Sequence, residues 1–308
     1  MSFIATRGIG YCGLACVSCS AKDCAGCKQR CDSAENCDKA RCCVEHSVEG
    51  CWACGSFPCE KTSHPRVRAF IRCAKEDGVE ALTRYLERND ARGIAYHRDD
   101  GLRGDYDDLE SEEDILALLR TGEFPDVYVV CPRYETNELA LSLVRPEDTP
   151  GLLECYSDPV TRKHADSTNC SFGFSYDTLE GMRGCIDAWI YAYETKSFIR
   201  WAIRRKPEDR PIGTIEYFVA PRDDARFSGD PRSFAVLRVD LLSSFETEPV
   251  FDEILDVVLG KIVRRMPADV IIAKAEEDDA VRMNAYAARG FTRLNRAGAP
   301  AYYMMKTL

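Results

Sequence analysis

Cysteines are concentrated near the start of the chain, in a spacing that suits metal ions. Thirteen of the 17 cysteines precede Ala74. Six of them form three CxxC pairs: Cys16 with Cys19, Cys24 with Cys27, and Cys51 with Cys54. A gap of two residues lets both sulfurs reach one ion at about 2.3 Å, with the intervening amides directed at them. Metal ions or disulfides are therefore expected to organise this segment.

The candidate ligands supply enough sulfur for two four-coordinate sites. We expect two zinc ions in closed thiolate sites, which stabilise a fold and leave no position open for a substrate. Interleaved and sequential assignments of ligands to ions fit the spacing equally. An iron–sulfur cluster, a redox sensor or a disulfide framework are the alternatives, and His46 is an alternative ligand. The twelve candidate ligands are Cys12, Cys16, Cys19, Cys24, Cys27, Cys31, Cys37, Cys42, Cys43, Cys51, Cys54 and Cys59.

The bulk composition indicates a globular protein and argues against two classes of partner. The 308 residues, 45% hydrophobic and 30% charged, allow two domains. No apolar run approaches about 18 residues, so no membrane partner is expected. The net charge is −10. Residues 1–136 carry 18 basic and 24 acidic side chains, and residues 137–308 carry 23 and 27, so no nucleic-acid partner is expected.

The start of the chain bears on where the protein resides. Its first residues, "MSFIATRGIGYCG", lack the basic and then apolar layout of a secretory signal. This predicts a cytoplasmic location. Thiols stay reduced in the cytoplasm, which favours metal over disulfides for the cysteine segment.

The cysteine segment resembles the DUF3795 family of small bacterial cysteine-rich proteins. The resemblance rests on the "CGLACVSC" start at Cys12–Cys19 and the "FPC" end at Phe57–Cys59. It continues through the following helices to about Gly122. Members of the family are inferred to bind zinc, and no activity is established for them. The resemblance therefore implies a metal and implies nothing about a reaction.

Periodicity predicts helices after the cysteines. Apolar residues recur at helical spacing over Val67–Ala74 and Val79–Leu86, and Ser111 is placed to cap a short helix through Asp114. The stretch "TGEFPDVYVVCPRYETNE" predicts a strand and a connector. Residues 1–136 are expected to form a cysteine-rich metal-binding domain with a helical extension, and residues 137–308 a second domain.

The second half alternates strands and helices in the order β-α-α-β-β-β-α-β-α-β-β. Its strongest element is the amphipathic helix "EPVFDEILDVVLGKIVRRM". This order resembles the GNAT acyltransferase fold. The most specific local match is "NAYAARGFTRL", in which Tyr286 precedes Gly290 and Phe291, and the strand containing Gly213 also matches. The expected fold class is α+β: a cysteine-rich module with helices, then a GNAT-like domain with a mostly antiparallel sheet.

The resemblance implies a reaction and residues to perform it. GNAT enzymes transfer an acyl group from a CoA thioester, here acetyl-CoA or another acyl-CoA, to an amine. A carboxylate or an ordered water removes the amine proton, and a tyrosine protonates the leaving thiolate. By position, Tyr286 is the candidate acid, and Glu216 and Asp240 are the candidate bases.

The resemblance also places the pyrophosphate of CoA on the loop before the long helix. The family has a glycine-rich loop there, whose amides bind phosphate. This chain has "LLSSFETEPV", in which Glu246 and Glu248 would repel phosphate and Pro249 lacks a donor amide. Asp279, where the family commonly has asparagine, is a further departure. The residues left to bind CoA are Leu242, Ser243, Ser244, Thr247 and Val250.

Three functions follow from these patterns. The first is an acyltransferase that uses acyl-CoA, acts on an amine of a small molecule or peptide, and carries a structural zinc module. The second is a GNAT-derived ligand-binding or sensing protein that has lost CoA. The third is a redox or metal-trafficking protein that works through its cysteines. The aromatic segment Cys170–Tyr176 is a candidate acceptor groove or an ordinary part of the core.

Overall fold

Two compact units make up the chain. The computed structural model describes residues 7–21, 24–29, 36–98, 103–165, 176–227, 229–294 and 303–308. The chain divides into an N-terminal unit, Met1–Asp126, and a C-terminal unit, Val127–Leu308. The predicted fold class is confirmed: a helical cysteine-rich region precedes a mixed unit with a mostly antiparallel sheet. The predicted domain division at residues 136 and 137 stays a prediction. None of the described helices is long and apolar enough to cross a membrane.

Local sequence signals set the helices of the N-terminal unit. Pro65 occupies the first turn of its helix, and Ser111 Oγ accepts a hydrogen bond of 3.0 Å from the amide of Asp114, as predicted. Gly122, with φ +70°, ends the last helix in the left-handed region. The helices are α1 (Asp38–Glu45), α2 (Pro65–Glu76), α3 (Val79–Ala91) and α4 (Glu112–Thr121).

The core of this unit lies between α2, α3 and α4. Asn89 is fully buried in it, and its Nδ2 donates to Tyr106 Oη at 2.9 Å and to the Leu118 carbonyl at 3.0 Å. A buried amide is tolerated there because its donors are satisfied. The cysteine segment packs directly on α2, since a Cβ at Gly13 (φ +78°) would lie 2.8 Å from the backbone nitrogen of Ile71.

An eight-stranded sheet is the centre of the C-terminal unit. Its order is β1-β2-β3-β4-β5-β6-β8-β7, and every pair is antiparallel except β5 with β6. The strands are β1 (Tyr134–Glu135), β2 (Leu139–Leu143), β3 (Ile199–Arg205), β4 (Arg210–Val219), β5 (Phe234–Leu241), β6 (Val270–Lys274), β7 (Thr292–Arg293) and β8 (Tyr303–Thr307).

Helices cover both faces of this sheet. One face carries Trp201, Ile215 and Val239, which pack in one apolar cluster with Phe251 and Tyr286. The other face is covered by apolar residues of α5 and α7. The helices are α5 (Thr149–Ser157), α6 (Pro159–His164), α7 (Leu179–Glu194), α8 (Glu248–Val257), α9 (Val263–Arg265) and α10 (Ala280–Ala288).

Two sequence expectations are corrected by the fold. The strand predicted within "TGEFPDVYVVCPRYETNE" is limited to β1, Tyr134–Glu135: residues 127–130 form a turn and a bend, and Val129 is 72% exposed. The amphipathic helix predicted from Glu248 to Met266 is interrupted between α8 and α9 by a π-helical turn, Val258–Ile262. Periodicity alone does not report a single widened turn, because the apolar residues on both sides still face the core.

Candidate active site

The parallel strands β5 and β6 separate within the sheet. Their register runs from Phe234 opposite Val270 to Leu237 opposite Ala273, whereas β5 continues to Leu241. Its last four residues therefore lie beyond the register shared with β6. Arg282 of α10 reaches this edge of β5 and donates from Nη1 to the Val239 carbonyl at 2.8 Å. The Arg282 side chain thus takes the place of a neighbouring strand, because it donates to a backbone carbonyl that a paired strand would otherwise bind.

Glu246, in the loop after β5, points inward rather than toward a ligand. Its side chain is 8% exposed, its Oε1 lies 2.7 Å from Arg282 Nη2, and its Oε2 lies 3.2 Å from His164 Nδ1. The sequence predicted that this charge would repel a phosphate. Because Arg282 neutralises it inside the fold, that repulsion is reduced. Glu248, by contrast, is exposed in the first turn of α8.

The predicted CoA-binding residues lie along the loop that joins β5 to α8. The Leu242 amide donates to the Ile212 carbonyl, and Ser243 Oγ donates to Asp158 Oδ2 at 3.0 Å. Within the described part of the chain, no acceptor binds the amides of Ser243 and Ser244. Thr247 precedes α8 and forms no side-chain cap with the described residues. Two amides and an uncapped helix start are thus available to an anion, with Val250 in the first turn.

The predicted bases belong to a buried row of charges across the sheet. Arg200, Glu216 and Arg238 are cross-strand neighbours on β3, β4 and β5. Arg200 and Arg238 each bond to one oxygen of Glu216, and Arg200 Nη1 lies 3.4 Å from Asp240 Oδ2. Both carboxylates are 1% exposed. The structure therefore brings Glu216 and Asp240 together around one guanidinium.

Tyr156 completes the surroundings of Asp240. Its hydroxyl donates to Asp240 Oδ2 at 2.9 Å and lies 2.7 Å from Thr214 Oγ1. Burial, and then the charge of Asp240, raises the pKa of Tyr156 well above its ordinary value. The phenol therefore stays protonated and acts as a donor to the carboxylate.

Tyr286 lies apart from these two carboxylates. It is fully buried on α10, and its ring centroid is 6.4 Å from that of Phe251 and 5.1 Å from that of Phe291. Its cluster is the apolar one, whereas Glu216 and Asp240 alternate onto the opposite face of the sheet. The three predicted catalytic residues are thus divided between two faces.

A further polar group was not predicted from the sequence. One ligand-type atom from each of His164, Glu246 and Asp279 lies within 4.8 Å of the others, which makes this trio a candidate cation site. Arg282 lies between the two carboxylates, with Nε 2.8 Å from Asp279 Oδ2. The sequence did not reveal this group because its three residues are far apart in the chain and share no local motif. The available signal was that Glu246 and Asp279 each depart from the GNAT pattern. With Arg282 in place, the group holds the loop after β5 against α6 and α10.

The cysteines of the N-terminal unit approach one another in pairs. All fifteen described cysteines are free thiols, and Cys31 lies outside the described residues. Cys43 and Cys51 have their sulfurs 3.7 Å apart. Cys16 and Cys27 hydrogen-bond each other, which raises the pKa of Cys16 and lowers that of Cys27. The aromatic segment at 170–176 is also outside the described residues, apart from Tyr176.

Comparisons with known proteins identify structural neighbours of the C-terminal part. No family model matches the chain, so the resemblance to DUF3795 gains no support, and no curated protein matches it. The chain is similar to a GNAT-family acetyltransferase from Bacillus anthracis, with 14% identity over 57% of this chain and 98% of that one, and a TM-score of 0.43.

Two further neighbours are acetyltransferases. One is a ribosomal-protein-S5-alanine acetyltransferase from Vibrio fischeri, with 13% identity over 57% of this chain and 96% of that one, and a TM-score of 0.43. The other is the ribosomal L7/L12 alpha-N-protein acetyltransferase RimL in complex with coenzyme A, with 11% identity, coverage of 56% and 96%, and a TM-score of 0.44.

Proposed function

We propose that the C-terminal unit transfers an acyl group from acyl-CoA to an amine of a small molecule or peptide. The observation that carries this proposal is the separation of β5 from β6 beside a loop with two available amides. A thioester cofactor needs an extended groove for its chain and an anion site for its pyrophosphate. The part of β5 beyond its register with β6 and the loop Leu242–Val250 are adjacent, and they are our candidates for these two features.

Within this proposal each predicted residue has a role. The amine attacks the thioester carbonyl, the carbon–sulfur bond breaks, and the thiolate leaves with a proton. Asp240 accepts the amine proton, because it lies in the part of β5 beyond the register with β6. Glu216 is a positioning residue that holds Arg200, and Tyr286 supplies the proton to the thiolate. Arg282 keeps Glu246 turned away from the phosphates.

The N-terminal unit is proposed to bind two structural zinc ions through its cysteines. The separation of 3.7 Å between the sulfurs of Cys43 and Cys51 fits two ligands of one tetrahedral ion. Zinc would supply folding free energy to this unit rather than chemistry. Reduced thiols suit a cytoplasmic location, and the two functions would divide between residues 1–136 and 137–308.

A second candidate function has one observation in its favour. Tyr286, Glu216 and Asp240 are each at most 1% exposed. A fold that buries all three without a change on ligand binding would bind or sense a ligand without catalysis. This candidate uses the same unit for a ligand other than CoA and performs no acyl transfer.

Acetyl transfer and CoA binding by Tyr286→Phe test the proposal. We expect wild type to bind CoA in calorimetry and to acetylate a panel of amines, and Tyr286→Phe to bind CoA equally while losing about 100-fold or more in rate. Tyr217→Phe is the matched control, because Tyr217 is a buried tyrosine of the same cluster that donates to the Met266 carbonyl. CoA binding by wild type would contradict the sensing function, and no CoA binding would refute acyl transfer and favour the sensing function.

A further inference from the structure

Cys16 and Cys27 converge although they belong to different CxxC motifs. A Cβ built on Gly10 would lie 3.1 Å from Cys27 Sγ and 3.3 Å from Cys16 Sγ, so both sulfurs face the same point of the backbone. The amide of Tyr11 donates to Cys27 Sγ at 3.2 Å. Amide donors of this kind stabilise a thiolate, which is the form that binds metal.

Cys43 and Cys51 form the second convergent pair. Cys43 lies on α1, and Cys51 opens the third CxxC motif. Four sulfurs at about 2.3 Å from a shared ion lie about 3.8 Å from one another in a tetrahedron. The observed 3.7 Å between these sulfurs matches that edge. The amide of Cys51 is fixed by the Tyr11 carbonyl at 2.7 Å.

The two pairs are separate in the structure. Among the described cysteines, no three sulfurs lie within 4.8 Å of one another. The four sulfurs of the two pairs are therefore not gathered around one point. By the same distance, no third described sulfur joins either pair, so metal binding has to draw further ligands to each of them. Tyr11 links them through its backbone, donating to Cys27 and accepting from Cys51.

We infer that Cys16 and Cys27 are ligands of one metal ion and that Cys43 and Cys51 are ligands of a second. Each pair joins two different segments of the chain instead of the two cysteines of one CxxC motif, and the two pairs follow one another in sequence, as in the sequential assignment. This inference rests on the proposed zinc module. Each ion then joins segments that are distant in sequence, which closes longer loops than a single CxxC motif would.

Native mass spectrometry of the full chain tests the pairing. The protein is loaded with Zn²⁺ and challenged with the strongest chelator that leaves wild type with two ions. We expect one ion in Cys16→Ala, in Cys43→Ala, and in each within-pair double variant, Cys16→Ala/Cys27→Ala and Cys43→Ala/Cys51→Ala. The cross-pair variant Cys16→Ala/Cys43→Ala is expected to retain none.

The outcomes separate the pairing from the zinc module itself. A wild type that never holds zinc would refute the module. Two ions in wild type together with none in Cys16→Ala/Cys27→Ala, or one in Cys16→Ala/Cys43→Ala, would overturn the pairing alone. A single variant that keeps both ions would remove that cysteine from the ligands. Cys73→Ala, which alters a buried thiol of α2, is the control and is expected to keep two ions.

Discussion

The two units differ in how they compensate the polar groups in their interiors. In the N-terminal unit, thiols approach one another in pairs, and we propose that metal ions join them. In the C-terminal unit, buried carboxylates are matched by buried arginines from neighbouring strands. On this proposal the cysteines of the first unit take their partner from solution, whereas the buried carboxylates of the second are compensated by its own chain.

Removal of zinc is expected to have the largest effect and to act on the N-terminal unit. Structural zinc contributes about 10 kcal/mol of apparent folding free energy in small modules. Hydrogen exchange of the full chain with and without a chelator measures this. Amides of α2, including Phe70 and Ile71, should lose protection, and amides of β4 serve as the internal reference. If the α2 amides of metal-free protein exchange at the same rate as those of the zinc-bound protein, the N-terminal unit does not depend on metal.

Arg200→Met should have the largest effect within the C-terminal unit. It leaves Glu216 with one arginine and removes a guanidinium that lies 3.4 Å from Asp240. Breaking a buried ion pair costs about 3–5 kcal/mol. Chemical denaturation followed by tryptophan fluorescence reports the loss. Arg205→Met on the same strand is the matched control, because Arg205 is 43% exposed and its pair with Glu138 is worth less than about 1 kcal/mol. Equal losses in the two variants would refute compensation by the buried row.

Glu248→Gln should have the smallest effect of the three changes. It tests whether the C-terminal unit binds an anion while the N-terminal unit binds metal ions. It removes an exposed negative charge from the first turn of α8, where we place the pyrophosphate. CoA affinity is expected to rise about 2–5-fold, with two zinc ions still bound. Asp256→Asn, near the other end of α8 and 71% exposed, should leave calorimetric CoA affinity unchanged. The same rise in both variants would mean that only net charge matters.

The sequence predicted the strands of the C-terminal unit well but not their surroundings. The alternation in "IRWAIRR" indicated β3 correctly. Alternation normally suggests that the polar side is solvated, yet Arg200 and Arg204 are 3% and 2% exposed. Their partners include Glu216, 16 residues away, and Asp148, 56 residues away. Pairing over such separations is set by the topology of the sheet and the helices over it, which a local pattern does not contain.

The candidate site shows the same limit. The sequence identified the loop after β5 and its two glutamates, but it treated Glu246 and Glu248 alike. The structure separates them, because Arg282, 36 residues further on, holds Glu246 in the interior. The charge of a side chain can be read from the sequence, whereas the partner that cancels it depends on the tertiary fold.

The π-helical turn between α8 and α9 marks a position where the length of the chain can change. An α-helix advances by about 100° per residue, so losing a residue within α8 would rotate its apolar face away from the core. A π-helical turn already contains one residue in excess. Gly260 lies within it, is exposed, and a Cβ added there would have no neighbouring atom within 4 Å. Deleting Gly260 would leave a regular helix with Phe251 and Ile254 unmoved, which identifies this turn as a natural site for single-residue insertion and loss during evolution.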